Sequence, residues 1–276
     1  MTSSVQTDFQ RWQPTKWSEF AGNKQPIAYM RRLVELIRVG YAETGIVPAK
    51  ARQAIMLTGR SRSGKTALVK FAVRCMTCCD LDAQLNPCAY RCRTCRQSQE
   101  LYGMEGLFSE VTVGANQPTV NFTVVDCTKI HTPSDLMEIL GKAQDVGDTL
   151  PVMYFDEVHR LVPRSMDEML LKEVEDKRIL WICSTAMPAK LEGMFLNRFI
   201  QLHTELPGEE ELQDWIVDRC DERGIAFDVD AIVRLVEKGN RVAGHVLRAL
   251  AMADINPNGL TLDLVEQWSP RIDAND

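Results

Sequence analysis

The chain has no apolar run approaching the roughly 18 residues that a membrane span requires, so a membrane partner is not expected. Its opening residues, MTSSVQTDFQRWQPTKW, hold no apolar core of the secretory kind, and a cytoplasmic protein is expected. Positive charge is not in excess either. Lys and Arg number 32 against 38 Asp and Glu, for a net charge of −6. That balance argues against a strong free-standing nucleic-acid binder, though it leaves room for a local basic face created by assembly. Internal repeats and low-complexity blocks are missing. The 276 residues, 45% hydrophobic and 25% charged, suit one large globular domain or two modest ones.

Cysteine, by contrast, is abundant. Of nine, six fall between Cys75 and Cys95, while Cys127, Cys183 and Cys220 sit scattered in apolar contexts and read as core residues. Clustered cysteines without an export signal favour metal over disulfides. Cys79, Cys88, Cys92 and Cys95 have spacings suited to a tetrahedral, structural Zn²⁺. Cys75, Cys78, Cys92 and Cys95 form a rival set with a CxxC…CxxC pattern. Cys75 and Cys78, however, fall at the end of a helix whose buried face would carry Leu68, Phe71 and Ala72.

Short β-rich runs occupy 53–59, 121–127, 151–157, 179–185 and 198–204, separated by polar helical segments. Continuous apolar strands alternating with helices predict a parallel sheet sandwiched by helices, an α/β fold. After the Pro207-Gly208 turn the pattern changes. Leu212, Trp215, Ile216 and Cys220, then Ile232, Leu235 and Val236, then Val242, Val246 and Leu250 recur at helical spacing. We therefore expect an α/β domain over 1–205 with a cysteine module at about 75–96, a small helical domain over 206–253, and a tail over 254–276 holding one short helix near 262–268.

The first run feeds GRSRSGKT, Gly59 to Thr66. A glycine-rich loop between strand and helix lets main-chain N–H groups turn inward around phosphate oxygens, and the helix N-terminus adds its dipole. Gly59, Arg60, Ser61, Arg62, Ser63, Gly64, Lys65, Thr66 and Ala67 are the expected contacts to ATP. Lys65 would reach the β- and γ-phosphates, and the Thr66 hydroxyl would serve Mg²⁺. About ninety residues on, VMYFDEVH ends a strand in Asp156-Glu157. The Asp suits the Mg²⁺ shell and the Glu suits a general base that readies water. Ser184-Thr185 ends the next strand, where a hydroxyl can orient that water. Arg198 is either a solvated edge residue or an arginine finger for a neighbouring subunit. Arg241, His245 and Arg248 fall on one helical face, either a solvated basic stripe or the source of an arginine that reaches the γ-phosphate.

Together these stretches resemble AAA+ ATPases of the clamp-loader class, nearest to the bacterial gamma/tau subunits of the DNA polymerase III clamp loader. RWQPTKWSEFAGNKQPI resembles the N-terminal box beside the adenine. GRSRSGKT and FDEVHRL resemble the two nucleotide motifs, CSTAMPAKL the sensor-1 strand, and FLNRFIQLH the Ser-Arg-Cys finger segment. The resemblance implies a zinc module held by Cys79, Cys88, Cys92 and Cys95, Thr185 as sensor 1, and Arg198 as a trans-acting finger. It also implies a ring or spiral of AAA+ subunits, DNA (primed or double-stranded) as partner, and a sliding clamp as cargo. The sequence departs from the pattern at Trp-Gln-Pro in the N-terminal box, at Asn-Arg-Phe in the finger segment, and at Val242, where the family places its sensor-2 arginine; Arg241 is the neighbouring candidate. A transposition target selector or branch-migration motor is the alternative within AAA+ proteins. A scaffold that does not hydrolyse nucleotide is the alternative outside catalysis.

Overall fold

The computed structural model describes residues 12–96, 109–111, 118–143, 149–175 and 178–270. These fall into two compact units, each with its own core: one formed by residues 25–59 and 65–203, the other by residues 12–24, 60–64 and 204–270.

The larger unit is built on a six-stranded sheet. In chain order the strands are β1 (Ala54–Thr58), β2 (Ser109–Val111), β3 (Val120–Asp126), β4 (Leu150–Asp156), β5 (Leu180–Thr185) and β6 (Ile200–His203), and in space they run β2-β3-β4-β5-β1-β6. The five strands expected from the sequence are parallel to one another. β2 was not expected. It is a short strand antiparallel to β3 at the sheet edge, with neither the length nor the apolar run that would mark it in the sequence. β4 and β5 are buried along almost their whole length, as strands covered on both faces must be.

The helices of this unit are α1 (Lys24–Thr44), α2 (Lys65–Thr77), α3 (Pro133–Ala143), α4 (Asp167–Val174) and the one-turn α5 (Gly193–Leu196). Met56, Val125, Met153, Phe155 and Trp181 pack with Leu136 and Leu140 of α3 and Leu170 of α4 in one cluster. Tyr154, which alternates with Met153 and Phe155, turns the other way and reaches α2 through Thr66. The strand period therefore selects which β4 residues meet the helix that follows the glycine-rich loop.

The smaller unit holds α6 (Glu209–Arg223), α7 (Val229–Lys238), α8 (Ala243–Ala253) and α9 (Leu262–Gln267). Leu212, Ile216, Cys220, Leu235, Val246 and Leu250 fill its core, and Val265 and Trp268 join them. The expected tail from 254 thus contributes a fourth helix. Gly259 makes the return possible, because a Cβ there would lie 2.0 Å from the Ala226 carbonyl oxygen. The unit also takes in the segment from Trp12: Trp215 Nε1 donates to the Glu19 carbonyl at 2.9 Å. The expectation of one domain over 1–205 missed this, because no helical or strand period runs through 12–23.

Candidate functional site

The strand ends of the larger unit bring four polar side chains together. Thr66 lies in the first turn of α2, Asp156 ends β4, and Ser184 stands one residue before the end of β5. Thr66 Oγ1 donates to Asp156 Oδ2 at 2.9 Å, and Ser184 Oγ donates to Asp156 Oδ1. The Tyr154 hydroxyl sits 3.0 Å from Thr66 Oγ1 and 3.0 Å from Ser184 Oγ. Burial pushes the Tyr154 phenol well above its ordinary value, and the Asp156 charge adds to the push, so it keeps its hydrogen. Lys65 is buried and donates from Nζ to the Gly59 carbonyl at 2.8 Å, folding back on the loop that it terminates. Lys70, one turn farther along α2, is held below its ordinary value by burial, with Asp156 opposing.

Glu157 follows in a left-handed conformation (φ 56°), unusual for a residue with a side chain and typical of backbone held for function. Its Oε2 accepts from the Ala186 main-chain N–H at 3.3 Å and lies 3.1 Å from His159 Nδ1. The same nitrogen is 2.9 Å from Thr185 Oγ1, which also accepts from the Met187 N–H at 2.9 Å. Burial lowers His159 to about 4, helped by Arg160, Lys190 and Lys65, so the ring is neutral. His159 Nε2 is buried and has no hydrogen-bond partner among the described residues. A carboxylate beside Nδ1 needs a donor, which places the single ring hydrogen on Nδ1. Burial raises the Glu157 carboxyl above its ordinary range, which suits a base that takes a proton.

The loop between Gly59 and Lys65 bends through φ values of 141° at Gly59, 60° at Arg62 and 94° at Gly64. Residues 60–64 are anchored within the smaller unit. Asn23 Nδ2 donates to the Ser63 carbonyl at 2.8 Å, and Ser63 Oγ lies 2.8 Å from Thr204 Oγ1. Gly244, in the first turn of α8, allows the closest approach: a Cβ there would meet the Arg62 carbonyl oxygen at 2.9 Å. In the same unit Arg241 is exposed and left-handed (φ 58°), and it precedes α8. The expected face of Arg241, His245 and Arg248 therefore does not form. His245 is buried with Nδ1 3.3 Å from the Gly239 carbonyl oxygen, so of the two residues on the helix Arg248 alone is exposed.

Arg198 lies just before β6, whose N-terminal end is at the rim of the parallel sheet opposite Lys65. It pairs with Glu175 at 3.1 Å, and both are about half exposed. The fold thus keeps Arg198 away from the Thr66–Asp156 cluster of its own chain.

The cysteine module sits against the far end of α2. Cys78, Cys88, Cys92 and Cys95 hold their sulfurs within 4.8 Å of one another. This corrects the expected set: Cys78 takes the fourth place, and Cys79 is exposed with its sulfur 3.2 Å from Thr94 Oγ1. Cys78 follows the last helical turn, with its N–H on the Arg74 carbonyl, so its side chain turns inward as the chain leaves α2. The rival set fails at Cys75, which is buried on α2 outside the cluster. Main-chain N–H groups of Asp80 and Cys88 donate to the Cys78 sulfur at 3.4 Å, that of Cys92 to Cys88 at 3.2 Å, and that of Cys95 to Cys92 at 3.4 Å. Such donors favour thiolate. The Cys95 thiol, hydrogen-bonded to Cys78, draws Cys78 down to about 5 and is itself pushed up by the same contact. A tetrahedral zinc with bonds of about 2.3 Å needs sulfurs about 3.8 Å apart, so a small contraction of this cluster fits one. Fully buried Arg74 of α2 ties the module down, with its guanidinium 4.5 Å from the Tyr90 ring centre and hydrogen-bonded to the Tyr90 hydroxyl.

Of the residues that assemble here, the sequence reading missed Tyr154 and His159 and gave Cys78 only in the rival set. Tyr154 was detectable as the residue two before Asp156, hence on the same strand face. His159 was visible in FDEVHRL, but nothing local distinguishes it from a solvated residue after a strand.

No family model matches the chain, and no curated protein does. Among solved structures, the RuvB Holliday junction branch migration motor of Thermotoga maritima superposes with a TM-score of 0.57 at 16% identity, covering 93% of this chain and 71% of that one. A point mutant of the same RuvB gives a TM-score of 0.57 at 14% identity, covering 93% of this chain and 72% of that one. At this identity the likeness carries the fold alone: the chain shares with that structure an α/β fold in which helices flank a largely parallel sheet, as the sequence implied.

Proposed function

We propose that the chain is an ATP-binding and ATP-hydrolysing subunit of an oligomeric machine that acts on DNA. The observation that carries the reading is the 2.9 Å contact of the Thr66 hydroxyl with the Asp156 carboxylate, with Glu157 next in sequence. Hard oxygen donors of this kind suit Mg²⁺, and bound there it would neutralise charge on the β- and γ-phosphates. Main-chain N–H groups from Gly59 to Ala67 bind the phosphates. Lys65 exchanges the Gly59 carbonyl for phosphate oxygen. Glu157 takes the proton of the attacking water, and Thr185 orients that water, both fixed through His159. Arg241 is the candidate contact to the γ-phosphate. Arg198, exposed on the opposite rim, serves a neighbouring subunit's site in a ring or spiral. Cys78, Cys88, Cys92 and Cys95 hold a structural zinc that stiffens the chain where it leaves α2.

Within this reading the clamp-loader role is supported by the cysteine cluster directly after the P-loop helix, the position at which the gamma/tau subunits carry their zinc module. A branch-migration role is supported by the RuvB likeness. ATP turnover measured with DNA separates them. The clamp-loader role predicts stimulation by primed DNA that rises further with a sliding clamp. Stimulation by four-way junctions, indifferent to a clamp, favours the motor. Turnover indifferent to every DNA would reject the DNA-acting reading.

A further inference from the structure

Thr66, Asp156, Ser184 and Tyr154 close a ring of four hydrogen-bond contacts, and only three hydrogens are available to fill it. Thr66 and Ser184 both donate to Asp156. A carboxylate only accepts, and a hydroxyl has one hydrogen, so both hydrogens are committed there. The Tyr154 hydroxyl then faces those two hydroxyl oxygens, each at 3.0 Å, with one hydrogen and with the Asp156 carboxylate beside it. One of its contacts is always lone pair against lone pair. Tyr154 and Ser184 are both fully buried, which keeps bulk water from supplying the missing hydrogen.

We propose that Tyr154 is a positioning residue for the divalent-cation site. Its phenol fixes the oxygens of Thr66 and Asp156, and it transmits their occupancy to β5 through Ser184. The inference rests on the nucleotide reading above and adds a residue to it. With the cation absent, the Tyr154 hydrogen alternates between Thr66 and Ser184. With a lone pair of Thr66 engaged by a cation, that oxygen is the poorer acceptor, and Tyr154 donates to Ser184. Ser184 belongs to β5, so the change arrives at the strand that ends in Thr185. The signal crosses from α2 through β4 to β5 without any movement of the main chain.

The test titrates Mg²⁺ into the full chain with a fluorescent ATP analogue as probe and reads binding by anisotropy, independently of turnover. Tyr154→Phe keeps the ring and its packing and leaves Thr66 and Ser184 donating to Asp156. The Mg²⁺ concentration for half-maximal binding should rise about fivefold, because the buried oxygen that holds Thr66 and Ser184 in place against Asp156 is gone. Binding without Mg²⁺ and the melting temperature should stay at wild-type values. Ser184→Ala opens the ring at another link and should shift the midpoint in the same direction; it decides the matter if the Phe variant does not fold. A folded variant with the wild-type Mg²⁺ midpoint overturns the inference and leaves the nucleotide reading standing. A wild-type chain that never binds the analogue takes both down.

Discussion

One nitrogen of His159 lies 3.1 Å from Glu157 Oε2 and 2.9 Å from Thr185 Oγ1, so a buried neutral imidazole joins the proposed base to the proposed water-orienting hydroxyl. With its hydrogen on Nδ1, the ring holds Glu157 toward β5, where the Ala186 N–H also meets it. Replacing His159 with Ala should reduce kcat for ATP by about tenfold or more, the scale of a misplaced catalytic group. The KM should change far less. Steady-state kinetics with a nucleotide-binding isotherm reads this directly; a loss confined to binding would contradict the arrangement.

The same histidine sets a pH dependence of stability. Its folded-state pKa is about 4 against an ordinary 6.5. Between those values the unfolded chain holds a proton that the folded chain refuses, so stability rises with pH across that window. The contribution is complete above about 6.5 and fades as pH falls toward 4. Thermal melts should therefore lose a few degrees between pH 7 and pH 5, and His159→Gln should lessen that loss. An equal loss in the variant would assign the effect to other groups.

The cysteine correction has a discriminating test. Metal analysis should find about one zinc per chain in the wild type and in Cys79→Ser, and less than about half in Cys78→Ser. The reverse order would restore Cys79 as the ligand. Chelation should also lower the melting temperature, since a site that exists only in the folded chain stabilises that state.

Arg198 predicts sharing between subunits. Neither Arg198→Ala nor Glu157→Gln alone should hydrolyse ATP well, while an equimolar mixture should recover up to about a quarter of wild-type turnover by random pairing at interfaces. No recovery would mean that each chain's site is self-contained.

The fold was legible in the sequence because buried parallel strands leave continuous apolar runs, as in VMYFD and ILWICST. The glycine-rich loop and the Asp156-Glu157 pair were legible because the proposed phosphate binding and water activation call for those residue types at chain-local spacings. What escaped was non-local. Cys78 or Cys79 is a choice made by where α2 ends, and adjacent residues at a helix terminus point about 100° apart. Tyr154 and His159 gain their roles only from hydroxyls on α2 and β5, 88 and 26 residues away. The basic face of Arg241, His245 and Arg248 failed because α8 starts at Ala243, too late to include Arg241. The packing of α9 depends on the close approach at Gly259, which no periodicity reveals.

The most direct test measures bound nucleotide and turnover together in the wild type and Glu157→Gln. The account predicts that both bind ATP with Mg²⁺ at similar affinity, while the variant hydrolyses it at least about a hundredfold more slowly. Wild-type turnover in the variant, or no Mg²⁺-dependent ATP binding in either protein, would contradict it.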